Sequence, residues 1–360
     1  MLALVGLIRV LQLSPALLPL HLIAKPIGNK MSSLTNISFH DGAPNAYPKI
    51  YQGEPAVAVD GFHHLAVTCS DIRTSQDFYE KIGFRHIADK STDKITVLQN
   101  KGGLELHLAR CDKGLLDEGK NILMDYPTQK FPGHTHASFV VPNVAAAQTY
   151  IESQGIPISG DRTRGGRLYA VFARDPDRTT LEFEKNHGEP EPMEIITADR
   201  IGYPQCMDHV GIRVCNAEDG LVWYAEMLGF TLLVNKYDRN PNPLKNNPPW
   251  ISRIASEDPN KPNCDINFII NGNEPVSENI LLAGGSVRPG ILLLGFTIVE
   301  PSIDRVQQKL MDKGVHVVTE AQLADSKWAC LVGKVLPSPS KNTLFLEDRE
   351  HTLIRLWPKE

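Results

Sequence analysis

The sequence has no Cys-x-x-Cys pair, although six cysteines are spread over its 360 residues. Cys69, Cys111, Cys206, Cys215, Cys264 and Cys330 stand far apart, which argues against a paired-thiolate zinc cage and a disulfide frame. They read as reduced thiols. Basic charge is not in surplus either: 37 Lys and Arg face 42 Asp and Glu, for a formal net charge of −5. No nucleic-acid partner is expected. The first 24 residues are mostly apolar, but Arg9 interrupts them. A secretory signal sets its charge ahead of the apolar run, and a membrane span would bury Arg9 at a cost of about 2.5–3.5 kcal/mol. No stable membrane span is expected. The expected location is cytoplasmic, or mitochondrial if residues 1–30 act as a presequence rather than as an extension ahead of Met31. The sequon at Asn36 then has no role.

What is present is ordinary globular composition, 42% hydrophobic and 22% charged. The length suits about two domains. One stretch sets the pattern: Phe62-His63-His64-Leu65-Ala66-Val67-Thr68-Cys69-Ser70-Asp71. It predicts a strand with His64, Ala66 and Thr68 on one face and Leu65, Val67 and Cys69 on the other. Ser70 or Asp71 caps a helix over Ile72 to Ile82, closed by Gly83. Short strands follow, ending in Leu104-Glu105-Leu106-His107-Leu108, where leucines alternate with polar residues. The order is βαβββ.

That order recurs. Strand Thr135 to Val141, a helix from Val144 to Gln154, and strands closing on Thr180 to Glu184 form a second unit. A Pro-rich linker, 187–205, precedes a third unit that starts at Met207-Asp208-His209 and contains an insert over 238–262. A fourth unit starts at Leu292 and includes predicted strands over Ala329 to Val335 and Thr343 to Leu346. Gly229-Phe230 repeats Gly83-Phe84, Tyr224 repeats Tyr79, and Asp348 repeats Asp175. The predicted fold class is α+β: four βαβββ modules paired into two domains, 59–186 and 206–358, after an apolar segment and extended arm over 1–58.

Two such sheets side by side enclose a polar cleft. In the first pair the cleft is expected to receive His64 and Glu105 from one unit and His136 and Glu182 from the other. Two imidazoles and two carboxylates suit one divalent metal ion, whether Zn, Ni, Mn or Fe(II). His63 and His134 are expected to face away or sit at the edge, and Glu184 to be solvent-exposed. The second pair departs from the pattern. His209 is present, with Asp265 or Asn267 next, but Leu293, Leu294 or Gly295 stands where a histidine belongs. Arg355 takes the last carboxylate position and repels a cation. The second pair is therefore expected to hold no metal, and His209 to be dispensable for metal binding.

The stretches "HHLAVTCSD", "LELHL", "GHTHASFVVPN" and "DPDRTTLEFE" resemble, in order, strands of the vicinal oxygen chelate superfamily. That superfamily includes glyoxalase I, bleomycin-resistance proteins and extradiol dioxygenases. The resemblance covers 59–186 well and 206–358 more weakly. It implies metal ligands at His64, Glu105, His136 and Glu182, with Glu182 the preferred catalytic base and Glu105 its opposite number. The paired carboxylates imply a lyase or isomerase abstracting a proton next to a carbonyl of a small-molecule substrate. The alternative, using His64, His136 and Glu182 alone, is an Fe(II) extradiol-type dioxygenase acting on a catechol-like ring. A non-catalytic small-molecule binding protein is the second alternative. The basic hairpin Asp161 to Arg167 is a candidate for closing over the cleft and binding an anionic substrate group.

Overall fold

The computed structural model describes residues 53–116, 119–185, 197–203, 206–233, 250–253, 264–332, 334 and 343–359. The apolar N-terminal stretch, Asn36, most of the 187–205 linker and most of the 238–262 insert lie outside these residues. Among the described residues no helix is long and apolar enough to cross a membrane.

The repeat takes physical form as four units. The first contains β1 (Val59–Cys69), α1 (Ile72–Lys81), β2 (Arg85–His86), β3 (Ile95–Gln99) and β4 (Glu105–Arg110). The second contains β5 (Gly133–Val141), α2 (Val144–Ser153), β6 (Ile158–Arg164), β7 (Arg167–Arg174) and β8 (Thr180–Lys185). The third contains β9 (His209–Arg213), α3 (Ala217–Leu228), β10 (Thr231–Leu233), β11 (Trp250–Arg253) and β12 (Cys264–Ile269). The fourth contains β13 (Gly290–Ile298), α4 (Ile303–Asp312), β14 (Val317–Thr319), β15 (Leu344–Glu347) and β16 (Leu353–Pro358).

Each helix starts where a short polar side chain satisfies an orphan backbone donor. Asp71, Asn143, Asn216 and Ser302 accept from the N–H groups of Thr74, Ala146, Asp219 and Arg305. The alternation in β1 holds: Leu65, Val67 and Cys69 enter the main core, and His64, Ala66 and Thr68 lie opposite. Tyr79, Ile151, Tyr224 and Leu310 cover that core from the helices. Each such side chain contributes about 1.5–3 kcal/mol through burial.

The pairing of the units differs from the expected one. β1 runs antiparallel to β13, and β5 antiparallel to β9. One eight-stranded sheet therefore joins the first unit to the fourth, and the other joins the second to the third. Consecutive units meet instead through their apolar backs. Phe84 packs edge-on against Phe139 with ring centroids 5.7 Å apart, and the Tyr79 hydroxyl donates to Asp175 at 3.0 Å. One helix is too narrow to cover a unit's leucine face, so neighbours in sequence cover each other and leave their first strands to pair across the repeat. A second correction concerns the fourth unit. Ala329–Leu331 is a 3-10 turn, not a strand, following a 3-10 segment at Glu320–Asp325. Leu323, Trp328 and Leu331 all enter one cluster with Phe345, a spacing that strand alternation does not serve.

The Tyr79–Asp175 contact recurs as Tyr224–Asp348, also at 3.0 Å. Asp175 additionally accepts the N–H groups of Asp177 at 3.0 Å and Thr179 at 2.7 Å. Burial nevertheless pushes its carboxyl up to about 7. Asp175 thus holds a proton in the folded state that the unfolded chain releases near its ordinary value of 3.8. Its contribution to stability falls as pH rises from about 4 through about 7. Asp175→Asn keeps an acceptor for both N–H groups and presents an amide to Tyr79. Urea unfolding at pH 5 and pH 8 is expected to show the variant gaining on the parent at pH 8, on the order of 1–3 kcal/mol. A parallel shift at both pH values would contradict this account.

Candidate metal centre

The polar face of the sheet joining the second and third units gathers the titratable side chains. On β8 the core takes Leu181 and Phe183, so Glu182 and Glu184 share the opposite face. On β9 the core takes Val210 and Ile212, leaving His209 and Gly211 opposite. On β12 Cys264, Ile266 and Phe268 enter the core, which sets Asp265 on the polar side. Backbone register aligns Asp265, His209, Ser138 and Glu182 in one row across four strands. His136 stands in the adjacent row opposite Gly211. A Cβ on Gly211 would lie 2.0 Å from His136 Cε1, so only glycine admits the imidazole there.

Three side chains converge. Nε2 of His136 lies 3.0 Å from Nε2 of His209. Glu182 Oε2 lies 3.2 Å from the first and 3.4 Å from the second. His136, Glu182 and His209 are all buried. The other nitrogen of His209 is also engaged: Nδ1 lies 2.9 Å from Asp208 Oδ2 and 3.2 Å from Glu184 Oε1. The hydrogen bond from Nδ1–H to Asp208, with Glu184 as a charge contact beside it, fixes the ring orientation and turns Nε2 toward His136 and Glu182.

The electrostatics favour a cation. Burial opposes charge on His209, but Asp208, Glu182 and Glu184 outweigh it and hold its pKa well above the usual value. Burial drives His136 down, with Glu182 pulling the other way. Glu182 stays well below the usual carboxylate range despite burial, because His136 and His209 lie against it. Burial, then the charge of Asp208, push Glu184 up to about 8. A divalent ion fits this donor set: two imidazoles and a buried carboxylate with neither oxygen in a hydrogen bond. Arg162 reaches the edge of the site, with Nη1 3.6 Å from Glu182 Oε1 and its guanidinium over the Phe172 ring at 5.0 Å.

The four residues expected to share a site are split. His136 and Glu182 are together here; His64 and Glu105 are neighbours in register in the other sheet. There the corresponding row reads Glu105, His64, Gly295, Arg355. Glu105 bonds to Lys90, and its Oε2 meets His107 Nε2 at 3.0 Å. Burial works against its charge, but His107 and Lys90 hold it down to about 2. Leu293 and Arg355 occupy the positions that His136 and Glu182 hold in the sheet joining the second and third units. Of the two outlying histidines, His63 stacks on Trp357 at 4.6 Å, and His134 is buried with Nδ1 3.3 Å from the Ile291 carbonyl.

Residues 61–183 and 207–328 each match the model of the Glyoxalase/Bleomycin resistance protein/Dioxygenase superfamily. The chain belongs to this superfamily. Among glyoxalase-like proteins, a lactoylglutathione lyase of Schizosaccharomyces pombe is 30% identical over 115 residues, 32% of this chain. The match spans 35% of that relative's length. A putative dioxygenase from Bacillus subtilis subsp. subtilis str. 168 shares the fold, with a TM-score of 0.51 at 14% identity over 84% of this chain and 86% of its own. Glyoxalase I from Zea mays aligns over 82% of this chain and 91% of its own, at 16% identity and a TM-score of 0.47.

Three members of the cluster, His209, Asp208 and Glu184, lie outside the ligand set expected from the sequence, and Asp265 stands beside them in register. The expectation that Glu184 is solvent-exposed is corrected: it is 7% exposed and meets His209. The alternation in Thr180 to Glu184, which puts both glutamates on one face, carried that signal. The repeat marks His209 as the counterpart of His64, and pairing the units in chain order places it in a cleft expected to hold no metal, whereas the strand order sets it beside His136.

Proposed function

We propose that this protein is a metal-dependent glyoxalase-like lyase or isomerase that abstracts a proton next to a carbonyl of a small, oxygen-chelating substrate. His136, Glu182 and His209, with Asp265 beside them in register, would hold one Zn, Ni, Mn or Fe(II) ion. What supports this most is the buried Glu182, set against two imidazoles and accompanied by a second acid, Asp265, in the same row.

A divalent ion bound there supplies a Lewis acid that polarises the substrate carbonyl. The chain's own residues do the rest. Glu182 Oε1, free of hydrogen bonds, takes the proton from carbon. His136 and His209 keep that carboxylate ionised. Asp208 and Glu184 hold the His209 ring in place. Arg162, half exposed beside Glu182 Oε1, receives an anionic group of the substrate, the role expected of the 161–167 hairpin.

A second reading has a specific observation behind it. His136, His209 and Glu182 by themselves make a two-His, one-carboxylate set, as non-haem Fe(II) oxygenases use. An assay decides between the two. Protein reconstituted with Zn, Ni, Mn or Fe(II) under anaerobic conditions is expected to turn over members of a hemithioacetal panel and no catechols. Ring cleavage that needs both Fe(II) and O₂ would replace the isomerase by a dioxygenase.

A further inference from the structure

The cleft between the first and fourth units is more than a metal site that has lost its ligands. Arg355 is completely buried, yet only its Nε has a hydrogen bond, to Thr343 Oγ1 at 3.2 Å. Nη1 and Nη2 have none, and the carboxylate of Glu320 is 3.7 Å from Nη2. The guanidinium is held flat by two aromatic faces, Trp357 at 4.5 Å and Phe345 at 5.3 Å. A buried charge with two unfilled donor positions is costly unless something occupies them.

The histidines of the same cleft have vacant nitrogens too. His64 Nε2 and His107 Nδ1 are buried without hydrogen bonds. The two rings stack with centroids 4.3 Å apart, and both lie within electrostatic reach of Arg355. His107 has a determined tautomer, because its Nε2–H donates to Glu105 at 3.0 Å. Its Nδ1 is therefore an acceptor that awaits a donor. His64 lies over Gly295, where a Cβ would come within 2.1 Å of its Cε1, and Gly295 is the register neighbour of Arg355.

We propose that this second cleft binds a small 2-hydroxycarboxylate anion, its carboxylate on the Arg355 fork and its hydroxyl donating to His107 Nδ1. The fork supplies two parallel N–H donors, which a planar carboxylate fills with both oxygens. The acceptor nitrogen then distinguishes a hydroxy acid from a plain acid, since only the former brings an O–H. The side chains at the partly exposed edge are His63, Trp357 and Lys90. The inference is independent of the metal centre, which lies in the other sheet.

Glycolate and acetate, matched except for the hydroxyl, are the probes for calorimetric titration of the full-length, metal-loaded protein. Glycolate is expected to bind about once per chain and at least about fivefold tighter than acetate. Arg355→Lys, which keeps the charge and loses the fork, is expected to weaken glycolate at least tenfold. His107→Phe is expected to bring glycolate down to the level of acetate while sparing acetate itself. His136→Ala leaves both unchanged, which separates this site from the metal centre. Thermal melts establish that each variant is folded; if Arg355→Lys is not, His107→Phe carries the test. Equal binding of the two acids, no binding of either, or loss of glycolate binding in His136→Ala alone would overturn the proposal.

Discussion

His209→Ala is expected to empty the metal centre, as His136→Ala is, whereas His64→Ala is expected to leave it filled. The wild-type chain, loaded with Zn(II) and desalted, should carry about one ion by elemental analysis, and the first two variants less than a tenth of that. The contrast follows from the strand order. His209 and His136 present their Nε2 atoms 3.0 Å apart in the sheet formed by the second and third units. His64 belongs to the other eight-stranded sheet, where Arg355 sits at the position of a ligand carboxylate. A fixed guanidinium there repels a second ion. Two further variants grade the effect: Asp208→Asn and Glu184→Gln remove partners of His209 Nδ1 and should weaken metal affinity about 10–100-fold without abolishing it. Metal retained by His209→Ala and lost from His64→Ala would move the centre to the other cleft.

Much of the fold was legible because it repeats. The Asp71, Asn143, Asn216 and Ser302 caps and the strict alternation of β4 and β8 are local, and local chemistry decides them. The paired echoes Tyr79/Tyr224 and Asp175/Asp348 proved to be the same hydrogen bond made twice. What the sequence did not reveal is which first strands meet. Local chemistry does not choose between β5 and β13 as the partner of β1, because either strand edge supplies the same antiparallel backbone ladder. The choice is made by distant apolar contacts such as Phe84 on Phe139, which tie consecutive units back to back. Once that contact forms, His64 and His136 are committed to different sheets. The candidate site was accordingly half legible: His136 and Glu182 were identified as residues, His209 and Asp265 as positions, but not as one group. Gly211 is instructive, because its role is to be absent from the space that the His136 ring fills, and only the cross-strand register discloses it.

Glu182→Gln is expected to lower turnover by about 10²–10⁴-fold, the range a positioned general base contributes. Glu182 touches both imidazoles through Oε2, and its Oε1 is without a hydrogen bond beside Arg162. Glutamine retains an oxygen for the imidazole side and loses the basic oxygen, so the loss in kcat should exceed the loss in metal content measured on the same sample. Asp265→Asn should cost less, because Asp265 is a register neighbour of His209 outside the three converging side chains and no base is removed. Glu105→Gln, in the opposite sheet and paired there with Lys90 and His107, should leave kcat within about twofold. Exchange of the substrate's carbon-bound hydrogen with deuterated solvent provides the second measurement: it should cease in Glu182→Gln and persist in Glu105→Gln. A Glu182→Gln protein that keeps its metal and more than a tenth of its turnover would remove Glu182 as the base, and exchange lost in Glu105→Gln instead would shift the chemistry to the Arg355 cleft.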